Sequence, residues 1–149
     1  MARDYILRLI EQVAAMLSGI TGLRKAGHLD EARREIDKLS LETIGLPLTT
    51  VKALSPESVD QLLQNAGALR CLRSIKLAEL LIADAELYPD GPDAPACWVH
   101  ATCLLADSMK ALNRDEQDIY RPKLEILTSR LGSWRDHPYI AEKLRAAAP

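Results

Sequence analysis

Phenylalanine is absent from this 149-residue chain, and four tyrosines and two tryptophans are its only aromatic residues. A sheet core built on aromatic and β-branched side chains is therefore a poor expectation; abundant Ala and Leu favour helices packed through aliphatic groups. Strong charge of one sign is missing too. The 19 basic and 21 acidic residues are interspersed and leave a net charge of −2, so no bulk electrostatic argument favours nucleic acid or an anionic membrane. Cysteines number three, Cys71, Cys97 and Cys103. An odd number, in a chain long enough to bury roughly two-thirds of its unfolded surface without a crosslink, points to reduced thiols and a cytoplasmic protein. Long apolar runs are lacking. Residues 5–23 are interrupted by Arg8, Glu11 and Gln12, and 77–83 contains Glu79 and falls far short of the roughly 20 residues of a membrane span. No Gly-rich phosphate loop, His-Glu-x-x-His or Gly-x-Ser-x-Gly occurs, so no cofactor and no catalytic motif is expected.

What the chain does carry is helical periodicity. Ile6, Leu9, Ile10, Val13, Leu17, Ile20 and Leu23 share one face of a first helix, about 4–25, leaving Tyr5, Leu7 and Met16 outside that stripe. Ala15, Gly19 and Gly22 form a thin strip. Glycine inside a helix costs about 1 kcal/mol relative to alanine, so a closely approaching neighbour is expected there, with a kink as the alternative. Gly27 can end this helix in the left-handed conformation. A second helix, about 29–44, places Leu29, Ala32, Ile36 and Leu39 on one face and charged residues on the rest.

Residues 48–54 are expected to form an extended connector or a 3₁₀ turn. Ser55-Pro56-Glu57 then opens a short helix carrying Val59, Leu62 and Leu63, because a serine cap, a proline at the first position and an acid in the first turn are three separate start signals. The next helix, 68–88, is apolar around most of its circumference after Ile75 and should be contacted on several sides. A loop at 90–95 leads to a fifth helix, about 94–112, with Asp93 as its candidate cap and Trp98, Ala101, Leu104, Leu105, Met109 and Leu112 as its core. The sixth ends near Leu131, with Pro122 awkward except in a first turn or at a kink. Asp136, His137 and Pro138 open a last helix with Ile140 and Leu144, and 146–149 should fray. No strand pattern is present. The expectation is a single all-α domain, 1–149, of six or seven antiparallel helices.

Gly27, Ala32, Ile36 and Leu39 resemble the second half of a tetratricopeptide repeat, and Glu86-Leu87-Tyr88-Pro89 resembles its closing Glu-Leu-x-Pro. The opening Asp-Tyr-Ile-Leu-Arg-Leu-Ile-Glu-Gln, the Leu-Arg-Lys-Ala-Gly-His-Leu-Asp-Glu-Ala segment and the later Leu-Ser-Pro-Glu together resemble a family of small bacterial proteins of unknown function with tetratricopeptide-like helices. That resemblance implies a right-handed array of helical hairpins and no catalytic residues.

Two kinds of function follow. The first is a protein-interaction or scaffold module, its partner another protein, a peptide or a second copy of the chain. The residues expected to meet the partner are Tyr5, Leu7 and Met16, as apolar groups outside the main stripe, and Arg70, Arg73 and Lys76, spaced by three as a basic stripe. The alternative is a small metal- or thiol-dependent enzyme or sensor built on Cys97, His100 and Cys103, with Asp107 one turn beyond. Helix geometry weighs against it. Cys97 and Cys103 would lie about 9 Å apart along the axis, whereas zinc holds thiolates near 2.3 Å. Buried thiols beside a hydrogen-bonded histidine are the plainer expectation.

Overall fold

The computed structural model describes residues 2–149, and all side chains except those of 2–6, 9 and 68. The side chains of Ile6 and Leu9 thus lie outside the described residues. Among the described residues eight α-helices follow one another: α1 (Ala2–Lys25), α2 (Leu29–Ile44), α3 (Leu48–Ala53), α4 (Pro56–Gln64), α5 (Arg70–Leu87), α6 (Ala94–Ser108), α7 (Arg114–Ser129) and α8 (Pro138–Ala147). Single 3₁₀ turns at Gly67–Leu69, Met109–Ala111 and Gly132–Asp136 join some of them. No strand occurs among the described residues.

The all-α reading holds, with eight helices where six or seven were expected. The additional element is α3, where the connector at 48–54 coils into a helix instead of an extended piece or a 3₁₀ turn. Six residues are too few to show a period. Leu48 and Val51, three apart, are nonetheless both buried, which is the spacing one helical turn requires.

The local start and stop signals act as their chemistry demands. Gly27 and Gly45 hold φ of 81° and 79°, a region that costs a side-chain-bearing residue but not glycine. Ser55 Oγ accepts from the Ser58 N–H at 3.2 Å, with Pro56 at the first helical position. A reciprocal pair not seen in the sequence opens α7: Asn113 accepts from the Glu116 N–H at 2.9 Å, and Glu116 accepts from the Asn113 N–H at 2.8 Å.

The core centres on α5 and α6, which share the most extensive contact in the molecule. Ile75, Leu77, Ala78, Leu80 and Leu81 from α5 are buried, as are Cys97, Ala101, Leu104 and Leu105 from α6, so both helices are apolar nearly all round and are covered on several sides. α1 and α2 pack on α5, while α4, α7 and α8 pack on α6. Trp98, Met109 and Leu112 join this core as the spacing requires.

Five expectations need correction. A Cβ at Gly19 or Gly22 would meet nothing within 4 Å, so no neighbouring helix approaches closely there. Leu62 is exposed, because α4 buries only Val59 and Leu63. Asp93 does not cap α6 with its side chain; its carboxylate turns to Lys52 instead. Pro122 lies in the interior of α7 with its ring exposed, where water can reach the carbonyl that its missing N–H leaves free. The chain end does not fray from 146, since Ala147 is buried and its carbonyl accepts from Arg121 at 3.0 Å.

Candidate functional site

The site grows from a charge that the core cannot leave unpaired. Asp84 falls on the buried side of α5, with 2% of its side chain exposed. Isolated there, a carboxylate would cost several kcal/mol. Two cations from distant positions meet it. Arg33 of α2 donates from Nε and a terminal nitrogen at 3.1 and 3.3 Å, and Lys52 of α3 donates from Nζ at 2.9 Å. Lys52 also reaches Asp93 at 3.3 Å with only 6% of its side chain exposed. Burial pulls the Lys52 ammonium down, but the hydrogen bond and charge of Asp84 outweigh it and hold the pKa above the usual lysine value. The Arg33 pKa is raised as well, first by its hydrogen bond to Asp84, and its guanidinium lies 4.5 Å from the centre of the Tyr88 ring.

Beside Lys52 opens a groove of about 620 Å³. One wall is the junction of α3 and α4, Lys52 to Glu57, where Leu54 is held extended before Ser55-Pro56. The floor is the start of α6, with Ala96, Val99 and His100; Pro92 and Pro95 stiffen its entrance. The far wall is Trp134 of the 3₁₀ turn, with His137 and Ile140 at the start of α8. Gly132, at φ 59°, opens the 3₁₀ turn that carries Trp134. The Trp134 ring is 47% exposed and lies 5.8 Å from the His137 ring.

His100 is buried, and its Nδ1 has no hydrogen-bond partner. Burial lowers its pKa, against the opposing effect of hydrogen bonds to the backbone of Leu54 and Lys52. Burial thus favours the neutral form of the ring.

On the other side of His100 is a hollow of about 10 Å³ lined by Cys103, Asp107, Asp60 and Lys143. Lys143 Nζ sits 2.7 Å from Asp107 and 4.0 Å from Asp60. Burial lowers its pKa, but the hydrogen bond to Asp107 and the two carboxylates raise it further, so the cation between those acids is the protein's own ammonium.

The sequence-predicted residues are thus divided. His100, Cys103 and Asp107 come together around the hollow, but Cys97 faces the opposite way, its Sγ 3.8 Å from Asp84. Among the described residues no group of three or more His, Cys, Asp or Glu side chains is arranged to hold a metal ion. Both thiols are pushed up to about 12, chiefly by burial, and remain protonated; a nucleophilic cysteine needs the opposite shift. In the basic stripe, Arg70 is paired with Asp60, while Arg73 and Lys76 are half-buried on α5. Leu7 is exposed, Met16 is partly buried against the core, and the Tyr5 side chain lies outside the described residues. Of the described side chains expected at a partner surface, Leu7, Met16, Arg70, Arg73 and Lys76, none lines the groove.

Sequence reasoning missed Lys52, Asp84 and Trp134, and took His137 only as a helix-start residue. One signal was available for Asp84: a charge within a stretch apolar on all sides must find a partner. Nothing marked Lys52 as that partner. No described helix is long and apolar enough to cross a membrane. Comparison with protein-family models, with curated proteins and with solved structures finds no match to this chain.

Proposed function

We propose that this chain is a non-catalytic binding module, a tetratricopeptide-like array of antiparallel helices that receives a segment of another protein. The observation that carries this reading is the groove between the α3–α4 junction and α8: preformed, walled by prolines and aliphatic groups, and carrying a few convergent polar side chains. The α1–α2 hairpin with its glycine turn supports the repeat-like architecture. Three unpaired cysteines support a reducing compartment such as the bacterial cytoplasm.

Filling the groove tests the reading. Ala96 is half-buried on its floor, so Ala96→Trp should occupy the space while the helical circular dichroism signal stays at its wild-type value. Crosslinking in host lysate, analysed by mass spectrometry, should recover a protein with the native chain and lose it with Ala96→Trp. Equal recovery by both proteins refutes binding through the groove. A second contact, self-association through α1, is favoured by the exposure of Leu7. Sedimentation at micromolar concentration should show a dimer that Leu7→Glu dissociates, and a native chain that sediments as a monomer rules it out.

A further inference from the structure

We infer that the occupant of the groove is an extended peptide that sets a basic side chain beside Glu57 and an apolar one against Trp134, an inference that rests on the binding reading above. Charge is the first observation. The Lys52 ammonium is already held between Asp84 and Asp93, and Glu57 is the one acidic residue lining the groove. It has no ion pair among the described residues. An acidic ligand would find no cation left to meet it, whereas a lysine or arginine gains the unpaired carboxylate.

Surface is the second. Trp134 keeps 47% of its area exposed at the edge of a concave site, where tryptophan contributes more than most residues when a partner covers it. The third is the floor. His100 is buried with Nδ1 unpartnered, and a buried polar nitrogen without a partner is a standing cost. An extended chain carries an N–H and a C=O at every non-proline residue, about 3.3 Å apart, so its backbone can offer either kind of partner to the floor whatever its side chains are. The partner's two side chains then read the rim, and its backbone reads the floor.

The test is a displayed library of random decapeptides panned against the full chain, with enriched peptides retested by fluorescence anisotropy. The expected consensus places Lys or Arg within about three positions of an aliphatic or aromatic residue. Affinity should fall at least tenfold with Trp134→Ala and with Glu57→Lys, two exposed positions; Trp134→Ala should keep the wild-type melting curve, and Glu57→Lys should lower it only slightly through its first-turn place in α4. A consensus without basic residues, or affinity indifferent to Glu57→Lys, overturns the inference and leaves the binding reading standing. Absence of any enriched peptide also overturns it, and the Ala96→Trp crosslinking comparison then decides the binding reading separately.

Discussion

The centre of the helical order and its first helix are built on different principles. Around α5 and α6 nearly every side chain is covered, and the charged groups inside that shell meet partners across long stretches of sequence: Asp84 with Arg33 and Lys52, and Glu79 with Lys123 at 2.6 Å. Along α1 the described residues present a single buried stripe, Val13 and Ile20 with partial cover at Ile10, Met16, Leu17 and Leu23. Its ion pair, Arg24 with Glu86, is largely solvated. Stability should therefore concentrate in the first region, where one altered side chain disturbs several helices, and be thin in the second.

The sharpest break should come at Asp84. Asp84→Ala leaves Lys52 buried without its main counter-charge, and breaking a buried pair this way costs about 3–5 kcal/mol. Denaturant melts should show a loss well beyond that of Glu86→Ala, which removes only a surface pair worth about 0–1 kcal/mol. Similar midpoints for the two variants would mean that the α5–α6 cluster carries no special share of stability. Next in size is Ala32→Leu, at a fully buried position of α2. Overpacking there should cost about 1–3 kcal/mol, with Arg34→Ala on the exposed face nearly neutral.

A smaller effect belongs to His100 and has a sign. Its folded pKa is depressed by burial, so below the ordinary value of about 6.5 the unfolded chain binds the proton more readily. Stability is complete above that pH and declines as pH falls through the folded pKa. His100→Phe should flatten this part of the profile between pH 7 and 5; an unchanged slope would place the titration elsewhere. The smallest effect runs the other way. With open space around their missing Cβ atoms, Gly19→Ala and Gly22→Ala should each stabilise by about 0.5–1 kcal/mol through helix propensity alone. Destabilisation at either would show that α1 needs its glycines for a neighbour.

How much of this was legible in the sequence follows the same division. α2 was bounded to the residue, because a glycine at either end and a regular apolar face are local signals. The start of α4 was equally plain. α5 was read as a helix contacted on several sides, as it is, but the place of α6 beside it at the centre was not read, since a helix covered on all sides loses the one-sided period that sequence reasoning relies on. The glycine strip misled because a propensity cost was taken as proof of a packing gain. The groove was invisible for a topological reason: its walls come from 52–57, 92–100 and 134–140, and no local pattern joins them. The grouping of Cys97, His100 and Cys103 with Asp107 divides in the fold, Cys97 turning to Asp84, and the cation beside Asp107, Lys143, lay thirty-six residues on from it.

That lysine also sets a dimension of the molecule. α8 carries part of the far wall of the groove, and α8 is moored to α4 and α6 by Lys143 with Asp107 and Asp60, and by Tyr139 Oη with Asp60 at 3.4 Å. The lysine side chain is only 13% exposed, so dissolved ions screen it far less than they screen Arg24 and Glu86. The aperture of the groove should thus behave as a salt-independent gauge, keeping its width at ionic strengths that slacken the tie between α1 and α5.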